Sequence, residues 1–222
     1  MNSIKNPTPG ASKYKPSQES DYETESIAGG CITTKYTGMD DVVVIPAINN
    51  EKVKSVGSNA FRACENLTNI IILDGVERIG ERAPSCRRDS IGSGTFMACK
   101  NLTDISIPDS VIKIKRWAFS ECNSLAKIKI PSSVIDISDK AFCQCGNLLT
   151  IAIDTKNAMF SDEDGVLFNK DKSILIRYPA GKNQAAYSIP DSVTELRNSA
   201  FDNCYISVQY EAVNIHYYFL ST

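Results

Sequence analysis

Residues 107–129 read IPDSVIKIKRWAFSECNSLAKIK, and residues 130–152 read IPSSVIDISDKAFCQCGNLLTIA. The two segments share a proline, a Ser-Val pair, an Ala-Phe pair, a cysteine and a leucine in the same register. A Phe followed three residues later by a Cys occurs five times along the chain: Phe61 and Cys64, Phe96 and Cys99, Phe119 and Cys122, Phe142 and Cys145, and Phe201 and Cys204. A signature that recurs in register indicates a tandem repeat.

Each unit contains two short apolar segments. A Leu-x-x-Ile-x-Ile pattern follows the first four of these cysteines and begins at Leu67, Leu102, Leu125 and Leu148. Its alternation predicts a strand with one buried face, and Pro108 and Pro131 end their strands because proline cannot donate to a β-ladder. A second apolar pair, such as Val111 and Ile114, lies upstream of the Phe. So short a unit cannot close a core alone, which predicts a solenoid of stacked neighbours.

The segment from Ile107 to Leu125 resembles the BspA-type (Treponema pallidum class) leucine-rich repeat, and the resemblance extends from residue 41 to about residue 204. It implies an α/β-type repeat solenoid, a leucine-rich repeat horseshoe. A parallel β-sheet is expected on the concave face. Turns and short helical or irregular segments are expected opposite, with one β-hairpin insertion.

Composition and pattern changes divide the chain into three parts. Residues 1–30 are polar and lack an apolar period, so we interpret them as a flexible tail or linker. The solenoid is assigned to residues 31–204, with an insertion loop at 80–91 and an expanded unit at 154–190. Within that unit, residues 165–168 and 173–178 are predicted to form the hairpin strands. Residues 205–222 are an irregular C-terminal cap or tail.

The residues flanking the inward isoleucines of each strand are expected to project from the concave sheet. They vary in charge and size from coil to coil, as expected of a surface that recognises an extended partner. The candidate binding residues on this sheet are Asn69, Ile71, Asp104, Ser106, Lys127, Lys129, Thr150 and Ala152. The inserted loop adds Arg82, Arg87 and Arg88, whose guanidinium groups suit carboxylates. A merely solvated sheet face remains the alternative.

No residue pattern supports catalysis, a cofactor or a metal. His216 is the single histidine and lies outside the repeats, which argues against a catalytic triad or a histidine-based zinc site. Residues 162–165 read Asp-Glu-Asp-Gly, but they lack the spacing of an EF-hand and are interpreted as an acidic turn. The Asn-x-Thr sequences at Asn66 and Asn101 arise from the repeat itself, so they are weak glycosylation signals.

Cysteines at equivalent repeat positions are predicted to form a ladder of small buried apolar side chains along the solenoid. Parallel Cβ directions disfavour disulfides between neighbours, and a straight row disfavours tetrahedral zinc. Cys143 is expected to point outward, while Cys31 and Cys86 lie outside the ladder and are the expected free thiols.

Charge and hydropathy exclude two classes of partner. The net charge is −2, with Lys and Arg scattered along the chain, so a nucleic-acid footprint is not predicted. No apolar run is long enough to span a membrane. The family resemblance implies a surface-exposed or secreted protein that binds other proteins, including host or extracellular-matrix proteins, in adhesion or cell contact. Because residues 1–10 lack an apolar export segment, an intracellular interaction scaffold is the alternative.

Overall fold

The computed structural model describes residues 17–45, 53–81 and 94–209, and they form a solenoid of stacked coils. The strands are Tyr22–Ile27 (β1), Gly30–Tyr36 (β2), Val42–Ile45 (β3), Val53–Gly57 (β4), Asn69–Ile72 (β5), Arg78–Glu81 (β6), Asp104–Ser106 (β7), Lys113–Ile114 (β8), Lys127–Ile130 (β9), Asp136–Ile137 (β10), Thr150–Ile153 (β11), Phe160–Glu163 (β12), Val166–Asn169 (β13), Ile174–Arg177 (β14), Ala186–Ser188 (β15), Glu195–Leu196 (β16) and Ser207–Gln209 (β17).

One wall of the solenoid is built from the Leu-x-x-Ile-x-Ile segments. Strands β3, β5 and β7 pair in parallel, and so do β9 and β11. Equivalent repeat positions face each other across these pairs, as Asn69 faces Asp104 and Lys127 faces Thr150. The predicted solenoid with a parallel sheet is confirmed, and we call this wall the first sheet.

The second wall differs in detail from the expected helical or irregular segments. The Val-x-x-Ile pairs form short parallel strands, so β2, β4, β6, β8 and β10 make a second continuous sheet. Within the described residues, the helical structure is a 3-10 turn at Glu19–Asp21. The reason is local: β-branched residues at the buried positions fit a pleated surface better than a helix.

Stacked aromatic rings fill the interior at the Phe positions. Ring centroids are 5.3 Å apart between Phe61 and Phe96, 5.5 Å between Phe96 and Phe119, and 5.7 Å between Phe119 and Phe142. All four rings are fully or almost fully buried, and burial of such a side chain contributes about 1.5–3 kcal/mol. Each coil therefore depends on its neighbours for its largest apolar contact.

The thiols of the cysteine ladder donate hydrogen bonds between coils. Cys99 Sγ lies 3.0 Å from the carbonyl oxygen of Phe61, Cys122 Sγ 3.1 Å from that of Phe96, and Cys145 Sγ 2.9 Å from that of Phe119. The predicted ladder is confirmed at Cys99, Cys122 and Cys145, whereas Cys64, its first member, is only half-buried. A thiol at this position fills a small apolar space and also satisfies a buried carbonyl.

A left-handed residue precedes the cysteine in every copy of the signature. Its φ lies between 56° and 61°, at Ala63, Ala98, Glu121, Gln144 and Asn203. This conformation costs a non-glycine residue about 1–2 kcal/mol. At the first three positions it directs the backbone N–H to a carbonyl of the next coil, at 2.9–3.0 Å. The sequence did not reveal this turn, because glycine, its usual marker, occupies none of the five positions.

The boundary placed at residue 30 is wrong. Strand β1 pairs antiparallel with β2, and β2 continues in parallel with β4. Tyr22 and Tyr36 are buried, and the Tyr36 ring stacks on Phe61 at 5.0 Å. Two tyrosines supply the apolar surface that the polar composition concealed, and the hairpin caps the first coil. Residues 1–16 lie outside the described residues.

The expanded unit contains the predicted hairpin. Strands β13 and β14 are antiparallel, and β14 pairs in parallel with β16. The strand β12 adds a third, antiparallel strand that was not predicted. Leu167 and Ile176 belong to the upstream core, whereas Val166, Phe168 and Leu175 belong to a second, downstream core. The hairpin therefore separates two hydrophobic cores.

The last described residues are more regular than expected for 205–222. Strand β17 pairs in parallel with β15, so residues 207–209 continue the solenoid pattern. Residues 210–222 are outside the described part. The insertion loop assigned to 80–91 begins within β6, which includes Gly80 and Glu81, and its remaining residues are outside the described part as well.

Candidate protein-binding surface

The outward positions of the first sheet form two columns across four strands. Their members are Asn69, Asp104, Lys127 and Thr150 in one column, and Ile71, Ser106, Lys129 and Ala152 in the other. Strand pairing places these positions in register within β5–β7 and within β9–β11, and β7 lies against β9. We call the eight residues the first-sheet strip.

One residue of the strip is not available to a partner. Ile71 is 6% exposed, although its position in the strand pattern is outward. The neighbouring Val44, which is its register partner on β3, is 2% exposed. The expectation that Ile71 projects into solvent is therefore wrong, because alternation along a strand does not fix how deeply each face is covered.

Two lysines dominate the accessible part of the strip. Lys127 and Lys129 are exposed and alternate with the buried Ile128 and Ile130. Within the described residues, no carboxylate oxygen lies within 4.0 Å of either ammonium group. Both cations are therefore available for an external acceptor.

The residues around the two lysines are small or already engaged. Asp104 accepts a hydrogen bond from the Asn69 side-chain amide at 3.4 Å. Half-buried side chains of Ser106, Thr150 and Ala152 flank the lysines. The sheet surface around Lys127 and Lys129 therefore carries short, mostly neutral side chains, and the two lysines are its positive charges.

The expanded unit closes the free edge of the first sheet at β11. The backbone N–H of Ile151 donates to the carbonyl oxygen of Gly165 at 3.0 Å, and the N–H of Ile153 donates to Asp162 Oδ1 at 2.8 Å. Gly165 has a φ of 77°, and an added Cβ would lie 3.0 Å from Thr150 Cα. The strip therefore ends at a fixed boundary.

The acidic turn is structural. Asp162 terminates the sheet edge, Glu163 pairs with Lys172 at 3.0 Å, and Asp164 pairs with Lys182 at 2.8 Å. Asp164 and Gly165 both have positive φ, as in a tight hairpin turn between β12 and β13. Each carboxylate thus has a partner within the protein. Among the described residues, no group of three His, Cys, Asp or Glu side chains is placed to share a metal ion.

Burial makes the thiols poor nucleophiles. It raises the pKa of Cys99 and of Cys145 to about 12, and that of Cys143 to about 11. Cys143 is 7% exposed, so the expectation that it points outward is wrong. Its thiol lies instead near Ser199 and Asp202, in the coil that contains Phe201. A raised pKa keeps a thiol protonated and chemically inert at neutral pH.

The remaining residues singled out in the sequence fall into two groups. Some have a different environment from the one expected, and others lie outside the described residues. Cys31 is 2% exposed and is therefore nearly as inaccessible as Cys99, Cys122 and Cys145. Arg82, Cys86, Arg87, Arg88 and His216 lie outside the described residues. At the two Asn-x-Thr sequences, the Asn66 amide donates to the Met39 carbonyl at 3.4 Å and the Asn101 amide donates to the Glu65 carbonyl at 2.7 Å.

A cavity that the sequence did not indicate lies at the first coil. Its volume is about 390 Å³, and it is lined by residues 36–40 and 62–67. Asp40 accepts a hydrogen bond from the Tyr36 hydroxyl at 3.0 Å, and the Met39 side chain is 77% exposed. Lining residues this far apart in the repeat meet only because the loop after β2 folds over the turn after β4.

Comparison with protein families gives one match. The model described as BspA type leucine rich repeat region matches residues 43–87 and 89–174, in six copies. No curated protein matches the chain. Among the described residues, no helix is long and apolar enough to cross a membrane.

Solved structures share the architecture. The chain is 22% identical to the pneumococcal vaccine antigen PcpA, with a TM-score of 0.63, over 78% of this chain and 44% of that one. It is 22% identical to a leucine-rich repeat protein from Eubacterium ventriosum, with a TM-score of 0.58, over 83% of this chain and 55% of that one. The corresponding values for the T. pallidum leucine-rich repeat protein are 25%, 0.58, 87% and 91%. The chain thus spans about half the length of the first two.

Proposed function

Because the chain belongs to the BspA-type leucine-rich repeat family, we propose that it is a non-enzymatic module that binds other proteins in adhesion at a cell surface. The recognition surface comprises the accessible residues of the first-sheet strip, which exclude Ile71, together with Arg82, Arg87 and Arg88 of the insertion loop and the expanded hairpin. The partners are proteins, including host or extracellular-matrix proteins. The repeat fold supports the coarser statement that this is a protein-interaction module.

The proposal depends on one observation: the outward residues of the first-sheet strip vary from coil to coil, while the buried residues of the same strands stay constant. Buried positions repeat from coil to coil, as Ile105, Ile128 and Ile151 do. The outward positions change from acidic to basic to neutral over the same coils. A surface that varies on a constant scaffold suits recognition of an extended partner. Display at a cell surface is supported by the likeness to a vaccine antigen.

Capture of partners by the whole chain tests this function. The immobilised protein is exposed to extracellular-matrix proteins and to cell lysates, and the captured proteins are compared with those bound by a Ser106→Trp variant. The tryptophan places a large side chain in the middle of the strip, so we expect it to abolish specific capture. Unchanged capture by a folded Ser106→Trp variant would remove the strip from the proposal.

An intracellular interaction scaffold is the second candidate, and the thiols favour it. Cys64, Cys99, Cys122, Cys143, Cys145 and Cys204 form no disulfide bonds. Unpaired cysteines in such number are typical of a reducing compartment. Fractionation of the native cells decides between the candidates, because surface display predicts accessibility of the protein to an external protease.

A further inference from the structure

Two unpaired cations stand on one strand of the first-sheet strip. Lys127 and Lys129 are both exposed, and no carboxylate of the described residues neutralises either of them. Some other lysines of the solenoid are paired, since Lys54 lies 2.7 Å from Glu77 and Lys115 lies 3.2 Å from Asp136. Lys127 and Lys129 differ from these in standing two residues apart on the same face of one strand. The strip therefore carries an excess of positive charge where a partner would contact it.

The spacing of the two lysines matches that of an extended polypeptide. Alternate side chains on one face of a strand are about 6.6 Å apart, and the same distance separates alternate side chains of any extended chain laid alongside it. We infer that the strip recognises an extended protein segment with carboxylates at two alternate positions, aligned with Lys127 and Lys129. This inference rests on the proposed function and specifies the chemistry of its partner.

The sheet surface beside the two lysines has room for such a segment. Ser106, Thr150 and Ala152 are small, so the backbone of a partner can approach the sheet until its side chains reach the lysines. The hairpin edge at Gly165 and Asp162 closes β11, so the segment lies on the face of the sheet and does not extend it as a further strand.

Asp104 argues against a uniformly anionic polymer. It occupies the repeat position equivalent to Lys127, on the adjacent coil, and its only side-chain hydrogen bond in the described part comes from the neutral Asn69 amide. A sulfated glycan or nucleic acid that crossed the coils would meet this carboxylate and be repelled. A peptide with two or three acids and neutral flanks avoids that repulsion.

Fluorescence anisotropy with the full chain tests the inference. The probe is a labelled twelve-residue peptide that alternates Glu with Ser over its centre, and the matched peptide carries Gln in place of Glu. We expect the Glu peptide to bind at least tenfold more tightly than the Gln peptide, and its binding to weaken as salt is raised.

Charge reversal supplies the matched protein controls. K127E/K129E should weaken binding of the Glu peptide at least about tenfold, with an intermediate loss for K127Q/K129Q. The control K100E/K156E makes the same net change at two exposed lysines outside the strip and should change the Kd less than about twofold. Thermal melts establish that all variants are folded.

Four results would overturn the inference: equal binding of the two peptides, equal losses in K127E/K129E and K100E/K156E, competition by a sulfated polysaccharide as strong as by the peptide, or self-association of the chain through this face. Its failure can be told apart from that of the proposed function. If Ser106→Trp abolishes protein capture while K127E/K129E leaves it intact, the strip binds a partner that is not acidic. If neither changes capture, both proposals fail.

Discussion

The hairpin at the start of the solenoid and the hairpin inside it have the same construction. Each has two antiparallel strands, β1–β2 or β13–β14, whose second strand joins a parallel strand of the following coil. In each a tyrosine stacks on the next phenylalanine: Tyr36 on Phe61 at 5.0 Å, and Tyr178 on Phe201 at 5.5 Å. A second tyrosine, Tyr22 or Tyr187, completes each aromatic cluster.

The upstream faces of the two hairpins differ in polarity. Leu167 and Ile176 are buried in the upstream core, whereas the equivalent residues of the first hairpin are the exposed Glu23 and the half-buried Thr34. The residue before the stacked tyrosine is Arg177 in one hairpin, buried to 1% exposure, and Lys35 in the other, with a side chain 60% exposed. One backbone arrangement thus serves as an end cap where its outer face is polar and as a partition between two cores where it is apolar.

The largest difference in stability between the two hairpins is expected when an inward side chain is truncated in each of them. Phe168→Ala should lower the free energy of unfolding by about 3–5 kcal/mol, because a fully buried ring in the downstream core is lost. The equivalent change Thr24→Ala should cost less than about 1 kcal/mol. Urea denaturation measures both changes in the free energy of unfolding. Similar losses would show that the inward side chains of the two hairpins contribute equally to stability.

The buried arginine gives the next largest effect. Arg177 donates to the carbonyl oxygens of Ser199 at 2.6 Å and Asp202 at 2.9 Å. Arg177→Met should cost about 1–3 kcal/mol, since one buried and one partly buried carbonyl oxygen lose their donors. Lys35→Met removes only an exposed ion pair with Glu23, so a change within about 0.5 kcal/mol is expected. The same denaturation experiment decides, and an Arg177→Met protein as stable as the parent would contradict the assigned role.

Two glycines with similar φ sharpen the comparison further. Gly29 has a φ of 82° with no atom within 4 Å of an added Cβ, whereas Gly165 has a φ of 77° with Thr150 Cα at 3.0 Å. Gly29→Ala should cost about 1 kcal/mol from backbone strain alone, and Gly165→Ala should cost about 1 kcal/mol more. Equal losses of stability in thermal unfolding would mean that the backbone at the edge of β11 moves to accommodate the added Cβ at no energetic cost.

The smallest expected effect is the dependence of stability on alkaline pH. Burial raises the pKa of Cys99 to about 12 and that of Cys204 to about 11, above the ordinary thiol value of 9.0. Their contribution to stability is complete below pH 9 and is lost as pH rises toward the folded-state pKa, because only the unfolded thiols ionise readily. Tm should therefore fall between pH 9 and 11, and Cys99→Ala should flatten this slope more than Cys204→Ala. A slope unaffected by both substitutions would assign the fall to other groups.

Much of the architecture was predictable because the repeat is local. The Phe, Cys and Leu positions recur in register, so they identified the solenoid, the first sheet and the cysteine ladder. The hairpin of residues 166–177 was predicted for the same reason, since its apolar strands flank a polar turn. The eight strip residues followed from strand alternation, which was right for the exposed Lys127 and Lys129 and wrong for the buried Ile71.

Other features depended on contacts between distant residues. The cap formed by β1 and β2 is polar in composition, and only its packing on Phe61 makes Tyr22 and Tyr36 core residues. The burial of Cys143 depends on Ser199 and Asp202, which lie more than fifty residues downstream in the coil that contains Phe201. Composition averaged over a segment cannot detect one or two anchoring side chains.

The sequence by itself determined that this chain stacks repeated coils, because a periodic pattern of apolar residues has one efficient way to exclude water when each unit is too short to do so alone. The tertiary structure decided where the stack is capped and where it is partitioned. It also decided which outward residues of the first sheet meet solvent. These properties depend on the faces that are covered by neighbouring coils, and a pattern read along one strand does not contain that information.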